Sequence, residues 1–201
     1  FDDGSSWGAD DLQRKRQSFN EALTGLPGSN VLDGGGGQDT LTGASGDDTL
    51  YGDGGTDWID GGGGSDALVG GTGDDTYMVN NTGVTITENK NEGTDTVISS
   101  INYEMGADLE NLTLNGNATT GTGNSLNNTL TANNSGNTLS GGDGNDTLIG
   151  GEGNDTLDLR TGNTSLNGDI AMGGSGNDTV IISQSQNSGT VQIDGGTGTD
   201  T

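Results

Sequence analysis

Aspartate recurs every nine residues at Asp39, Asp48, Asp57, Asp66 and Asp75, each with a glycine five and two places before it and an apolar residue two places after. The same frame returns at Asp146, Asp155 and Asp178, and the last residues reach Asp200 within it. Carboxylates in phase with glycine-rich turns offer only carboxylate and carbonyl oxygens. A hard, all-oxygen cage suits calcium, which takes roughly six to eight such donors at about 2.3–2.6 Å in flexible geometry. The chain has no histidine and no cysteine. That excludes zinc or haem ligation by the usual side chains and nucleophilic catalysis of the Cys/His kind.

The spacing dictates the elements that must hold these carboxylates. Residues 34–78 divide into GGGGQDTLT, GASGDDTLY, GDGGTDWID, GGGGSDALV and GGTGDDTYM. Six residues form a turn, whose glycines can take φ > 0 and allow close backbone approach. The last three form a strand of about 10 Å with one side chain pointing inward. That inward place holds Leu41, Leu50, Ile59, Leu68 and Tyr77 in turn. A strand this short has no stability alone, so the repeats must stack and bury a narrow apolar seam. Two nonapeptides make one coil, so 34–42 lies over 52–60 and 70–78, and 43–51 over 61–69. The turn carbonyls join the aspartates as candidate ligands. They come from Gly34, Gly35 and Gly37; Gly43 and Gly46; Gly52 and Gly55; Gly61, Gly62 and Gly64; and Gly70, Gly71 and Gly73. In the second array they come from Gly141, Gly142 and Gly144; Gly150, Gly151 and Gly153; and Gly173, Gly174 and Gly176.

A nonapeptide of this form is a known repeat signature, and the chain resembles the RTX family of secreted calcium-binding proteins, whose repeat is GGxGxD followed by x, an apolar residue and x. The resemblance implies an all-β fold, a right-handed parallel β-roll with Ca²⁺ between stacked turns. It also implies export through a type I secretion machinery. The opening FDDGSSW resembles the "FxDGxxW" segment, followed by a helix, that precedes many such repeats. EGTDTVISSINYEMGADLENLTLNG resembles segments that alternate with the repeats in large members of the family.

Composition bounds the rest. Asp plus Glu number 30 against 5 Lys plus Arg in 201 residues, a formal charge of −25. No basic surface exists to displace counterions from nucleic acid. Apolar residues make up 25%, too few to offset chain entropy with a globular core. If about eight Ca²⁺ bind, they add about +16 and leave about −9. Without calcium this composition is that of a disordered chain, although a simple linker would not keep Asp in phase with Leu. A collagen-like chain would repeat every three residues. The start does not read as a signal peptide and no apolar run is long enough to span a membrane. The chain is expected to be part of a longer protein with adjacent domains, because it stops partway through a repeat. Weak oxygen cages suit the high calcium found outside cells, so the expected location is secreted, extracellular or at the cell surface.

In chain order, residues 1–30 are expected to form a segment with a capping helix from about Asp10 to Thr24, stopped by Gly25 and Pro27. The basic run Arg14-Lys15-Arg16 reads as a solvated helix face. The first roll spans 31–78, with Ser29 to Asp33 as its first strand. From Val79 the register is expected to be lost, and 79–140 becomes an Asn-rich, mostly metal-free bridge. Its strands lie at Val84–Thr87 and Thr96–Ser99, with an excursion near 88–110. Asn tolerates left-handed conformations and can stack in hydrogen-bonded ladders. Asp95, in half a nonapeptide, is the weaker candidate ligand. The second roll, 141–201, is interrupted by Leu159–Met172 and by a further spacer. Thr164–Leu166 and Thr190–Ile193 are expected to supply the missing strands, with calcium along one edge.

No catalytic constellation is visible. Gly173-Gly174-Ser175-Gly176 is out of frame for a nucleophile elbow, and carboxylates in phase with glycines are poor candidates for a glycosidase pair. An ice-binding array would need Thr and Asn at the third and fifth turn places of every repeat, and the third places instead read Gly36, Ser45, Gly54, Gly63, Thr72, Asp143, Glu152 and Ser175. The reading is a calcium-binding module, not an enzyme, that folds outside the cell and supports a larger secreted toxin or enzyme. The alternative is a calcium-stiffened stretch of a surface adhesin.

Overall fold

The computed structural model describes residues 19–160, 168–182 and 190–201. Strands of two to seven residues alternate between two sides of a solenoid, because each turn reverses the chain and the next strand must lie beside the one a full coil earlier. One side is a single ten-stranded sheet. It runs through Ala22–Thr24, Thr40–Thr42, Trp58–Asp60, Thr76–Val79, Thr96–Ser99, Asn111–Leu114, Thr129–Thr131, Thr147–Ile149, Ile170–Met172 and Gln192–Asp194. The other side is split. Val31–Asp33, Thr49–Gly55, Ala67–Thr72 and Thr85–Thr87 form its first part, with Gly36–Gly37 beside Thr49–Gly55. Tyr103–Glu104, Thr120–Thr122, Thr138–Ser140, Thr156–Asp158 and Thr179–Ile181 form its second. Every pairing is parallel, and in the first array Leu41 pairs with Ile59, Ile59 with Tyr77, and Leu50 with Leu68. The predicted stacking of the five repeats is therefore observed.

The middle residue of each short strand points inward, and these residues build the core. Leu41, Leu50, Ile59, Leu68, Tyr77, Val97, Leu112, Leu130, Leu139, Leu148, Leu157 and Ala171 are fully buried and belong to one continuous apolar cluster. Burying each leucine contributes roughly 2 kcal/mol, so the seam is thin and the turns must contribute the remainder.

Several expectations are corrected. Ala22–Thr24, the end of the expected capping helix, is a strand paired with Thr40–Thr42, and no helix occurs among the described residues. Ala22 and Leu23 fall at the seventh and eighth places of the nine-residue frame counted back from Gly34. Burial of Leu23 against the next coil overrides local helix propensity. The rest of the expected helix, like the basic run 14–16, lies outside the described residues. Val31–Asp33 is accordingly the second strand, not the first. The register also survives Val79, since Thr85, Ile86 and Thr87 pair with Ala67, Leu68 and Val69 in unchanged phase. The register departs over the next two steps, where Asp75 and Asp95 are 20 residues apart and Asp95 and Glu110 are 15 apart instead of 18, and the 18-residue step resumes where Asn111 pairs with Thr129. The spacer 159–172 is a lengthened half-coil whose strand is Ile170–Met172. The expected strand 164–166 lies outside the described residues. In the last spacer the strand is Gln192–Asp194, two residues later than expected.

Candidate metal centre

Stacking places the sixth residue of every turn directly over that of the next coil. Along one edge the sixth places are Glu21, Asp39, Asp57, Asp75, Asp95, Glu110, Asn128, Asp146 and Asp169. From Asp39 onward, one oxygen of each aspartate or glutamate accepts the backbone N–H of the sixth residue in the preceding coil. Glu21 donates to Asp39 Oδ1 at 2.7 Å, Asp39 to Asp57 at 2.7 Å, Asp57 to Asp75 at 2.8 Å and Asp75 to Asp95 at 2.9 Å. Asp95 donates to Glu110 Oε2 at 2.8 Å, Asn128 to Asp146 at 2.9 Å and Asp146 to Asp169 at 2.9 Å. The other edge repeats the device in two pieces. Asn30 donates to Asp48 and Asp48 to Asp66; then Asn137 donates to Asp155, Asp155 to Asp178 and Asp178 to Asp200.

The second oxygen is the informative one. Oδ2 of Asp39, Asp48, Asp57, Asp66, Asp75, Asp155, Asp169 and Asp178 is buried with no hydrogen-bond donor. All but that of Asp169 lie against the first glycine of their own turn. A Cβ built on Gly34 would sit 2.6 Å from Asp39 Oδ2, and one on Gly43 would sit 2.5 Å from Asp48 Oδ2. The first glycine is thus required for close approach of the carboxylate. The left-handed backbone falls on the second and fourth places, as at Gly35 (φ 85°) and Gly37 (φ 133°).

An ionised carboxylate accepts bonds and cannot donate them, and leaving it unsatisfied in a buried place costs about 1–3 kcal/mol or more. Successive carboxylates stand one strand spacing apart, about 4.8 Å. Like charges at that distance repel by about 3.5 kcal/mol at an effective dielectric of 20. Either protons or cations must relieve the row. Burial first, and neighbouring carboxylates after it, push Asp75 up to about 7 and Asp146 up to about 6. The same causes raise Asp57 and Asp66, and Asp155 rises to about 6. A row of buried, unpaired, all-oxygen acceptors fits a hard divalent cation, and among the described residues no lysine or arginine pairs with it. Among the described residues the one ion pair is Arg160 with Asp158, away from the row.

In the Asn-rich coils an amide replaces this arrangement. Asn128 Nδ2 donates to the carbonyls of Leu109 and Glu110, and Asn137 Nδ2 to that of Ala118. Asn124 and Asn133, at the second places, likewise donate to the carbonyls of Leu109 and Ala118. The side-chain N–H does here what a cation does between carboxylates. A second, outer stitch runs in the opposite sense: Oδ1 of Asp47, Asp74, Asn127, Asn154 and Asn177, at the fifth places, accepts the N–H of the fifth residue in the following coil.

The structure thus gathers Asp39, Asp57, Asp75 and Asp146 on one edge, and Asp48, Asp66, Asp155, Asp178 and Asp200 on the other. Asp95 stands in the ladder as fully as its neighbours, not as a half-formed outlier. Acidic sixth places occur on both edges after residue 141. The sequence reading overlooked Glu21, Glu110 and Asp169. Their turns lack the first and fourth glycines, but each is followed two places later by the inward residue Leu23, Leu112 or Ala171, the signal that could have found them.

A parallel β-solenoid edged with buried carboxylates defines a repeat protein of the cation-binding kind. The model of the RTX calcium-binding nonapeptide repeat, the haemolysin-type family, matches four times, over residues 17–50, 42–77, 122–157 and 163–181. These matches cover more than half of the chain, which belongs to this family. Among curated proteins no relative matches it. The family's β-roll is a structural calcium-binding fold rather than a catalytic one, and such repeats are typical of secreted proteins.

Proposed function

We propose that this chain is a calcium-switched β-roll module of a larger secreted protein, a toxin or an enzyme, folding outside the cell and supporting its export and stability. The observation that carries the reading is the row of buried Oδ2 atoms without donors. Asp39, Asp48, Asp57, Asp66, Asp75, Asp95, Asp146, Asp155, Asp169, Asp178 and Asp200 would hold the ions together with turn carbonyls, on the order of eight ions in all. Calcium bound there supplies positive charge between successive turns, and its binding free energy becomes folding free energy. Where calcium is scarce, like charges keep the chain extended and threadable for a type I secretion machinery. Residues 31–78 and 141–201 act as the two calcium-binding rolls, and 79–140 as the bridge in which asparagine takes over part of the stitching. No helix among the described residues is long and apolar enough to cross a membrane.

One observation favours a second reading, a calcium-stiffened spacer in a surface adhesin. A single ten-stranded sheet runs without interruption through both acidic arrays and the Asn-rich coils, the construction of a stiff rod. Binding of the purified chain to cells or glycans would favour that reading. The first test is far-UV circular dichroism during a calcium titration from chelator, with magnesium as control. A sigmoidal coil-to-β transition with calcium alone is expected. A chain already β-rich in chelator at neutral pH would refute the switch.

A further inference from the structure

The lengthened half-coil that follows Thr87 carries a group of three buried carboxylates, the one such group among the described residues. Its first residue, where the regular repeats place glycine, is Glu88. With two additional residues before Asp95, the Glu88 carboxylate turns inward and meets Asp75 and Asp95. Oxygens of these three residues lie within 4.8 Å of one another. All three are buried, Glu88 at 8% exposure and the two aspartates at 1%. The group is incomplete as it stands. Glu88 Oε2 and Asp75 Oδ2 are enclosed without any hydrogen-bond donor, while Glu88 Oε1 accepts from the Tyr77 hydroxyl and Asp95 Oδ1 from the Asp75 N–H. Tyr77 Oη, Asp75 Oδ2 and Glu88 Oε1 all converge on the space in front of Gly70, where a Cβ would collide with each.

An ordinary turn brings one sixth-place carboxylate to the inner ladder. We propose that Asp75, Glu88 and Asp95 form a tri-carboxylate cation site, the turn site of this coil enlarged by a third carboxylate and, among the described residues, more highly charged than the repeated turn sites. It would take Ca²⁺ more tightly than they do and trivalent lanthanides more tightly still. Calcium affinity rises with the number of ligand charges and the rigidity of the cage. The third carboxylate supplies the charge. The Tyr77 hydroxyl, itself anchored in the apolar seam, fixes the rotamer of Glu88. The proposal rests on the calcium-binding reading of the chain and goes beyond it by assigning a ligand outside the nonapeptide frame.

Terbium makes the site visible, because a bound Tb³⁺ would lie beside the Tyr77 ring and be sensitised by it. The full chain is first folded in saturating calcium, and Tb³⁺ is titrated in with excitation in the tyrosine band. Wild type should show sensitised emission that saturates near the first equivalent. Glu88→Gln, which keeps the size and the bond from Tyr77, should weaken this first Tb³⁺ at least about tenfold, while Glu104→Gln, at an exposed carboxylate outside the ladder, should leave it unchanged. Tyr77→Phe keeps all three carboxylates and should lose most of the emission from that equivalent while binding it in competition with calcium. First-equivalent affinity unchanged by Glu88→Gln, or emission unchanged by Tyr77→Phe, would overturn the proposal. Should no ion bind anywhere on wild type, the calcium reading itself fails, a different result from turn sites that fill while Glu88 proves indifferent.

Discussion

At the sixth place of each turn the two oxygens of one carboxylate have separate tasks. Oδ1 ties down the N–H of the preceding coil, and Oδ2 waits in a buried place without a donor. Replacing Asp57 by alanine removes both, leaving the Asp39 N–H unpaired and interrupting the row. Each lost charge-assisted bond is worth about 1.5–3 kcal/mol, so the calcium midpoint followed by circular dichroism should rise several-fold. Asp95→Ala should do the same, because Asp95 accepts from Asp75 as Asp75 does from Asp57; a negligible effect at Asp95 would remove it from the ligand set. Gly43→Ala should also be disruptive although Gly43 has no left-handed φ, since its Cβ would meet Asp48 Oδ2 and the Gly61 carbonyl at 2.5 Å. The five regular aspartates were legible from period alone. Glu88 was not, because nothing in a nine-residue frame says that a residue at the first place can turn inward once the coil is two residues longer.

At the scale of the half-coil, one frame accepts two kinds of stitching. Asp at the sixth place suits a cation, whereas Asn supplies its own N–H. Asn128 stands between Glu110 and Asp146 in the ladder and donates to the Leu109 and Glu110 carbonyls. Asn128→Asp exchanges these donors for a negative charge beside two others. In chelator the variant should lose about 1–3 kcal/mol of stability. In calcium the loss should shrink or reverse, because a further carboxylate joins the row. Thermal unfolding in both conditions reads the crossover, and equal destabilisation in both would show that position 128 never faces an ion. Strands were legible wherever an apolar residue alternates within the frame, as at Thr85–Thr87 and Thr96–Ser99. Ile170–Met172 was hidden because its inward residue is Ala171, too small to stand out. Ala22–Thr24 was hidden because the preceding residues suggest a helix and only burial of Leu23 across the coil decides otherwise.

For the molecule as a whole, charge and core are set against each other. A thin leucine seam holds a chain of net charge −25, and many of the charges are stacked in rows. Burial and mutual repulsion put Asp75 and Glu88 at about 7 and Asp95, Asp146 and Asp155 at about 6, against roughly 4 in an unfolded chain. Between about pH 4 and 7 the folded, metal-free chain therefore holds protons that the unfolded chain has released. Stability then falls as pH rises through that window. In chelator the β signal should be present near pH 5 and lost by about pH 8. Calcium and protons compete for the same oxygens of the folded chain, so ions binding at about pH 5, where protons already hold the fold, should release protons, whereas folding by calcium at about pH 8 starts from ionised carboxylates and should release few. Calorimetry in buffers of different ionisation enthalpy measures that release directly. Absence of proton release at about pH 5 would mean that protons do not hold the metal-free fold, whereas a chain still β-rich in chelator at about pH 8, where these carboxylates are ionised, would make calcium a late stiffener rather than the trigger of folding.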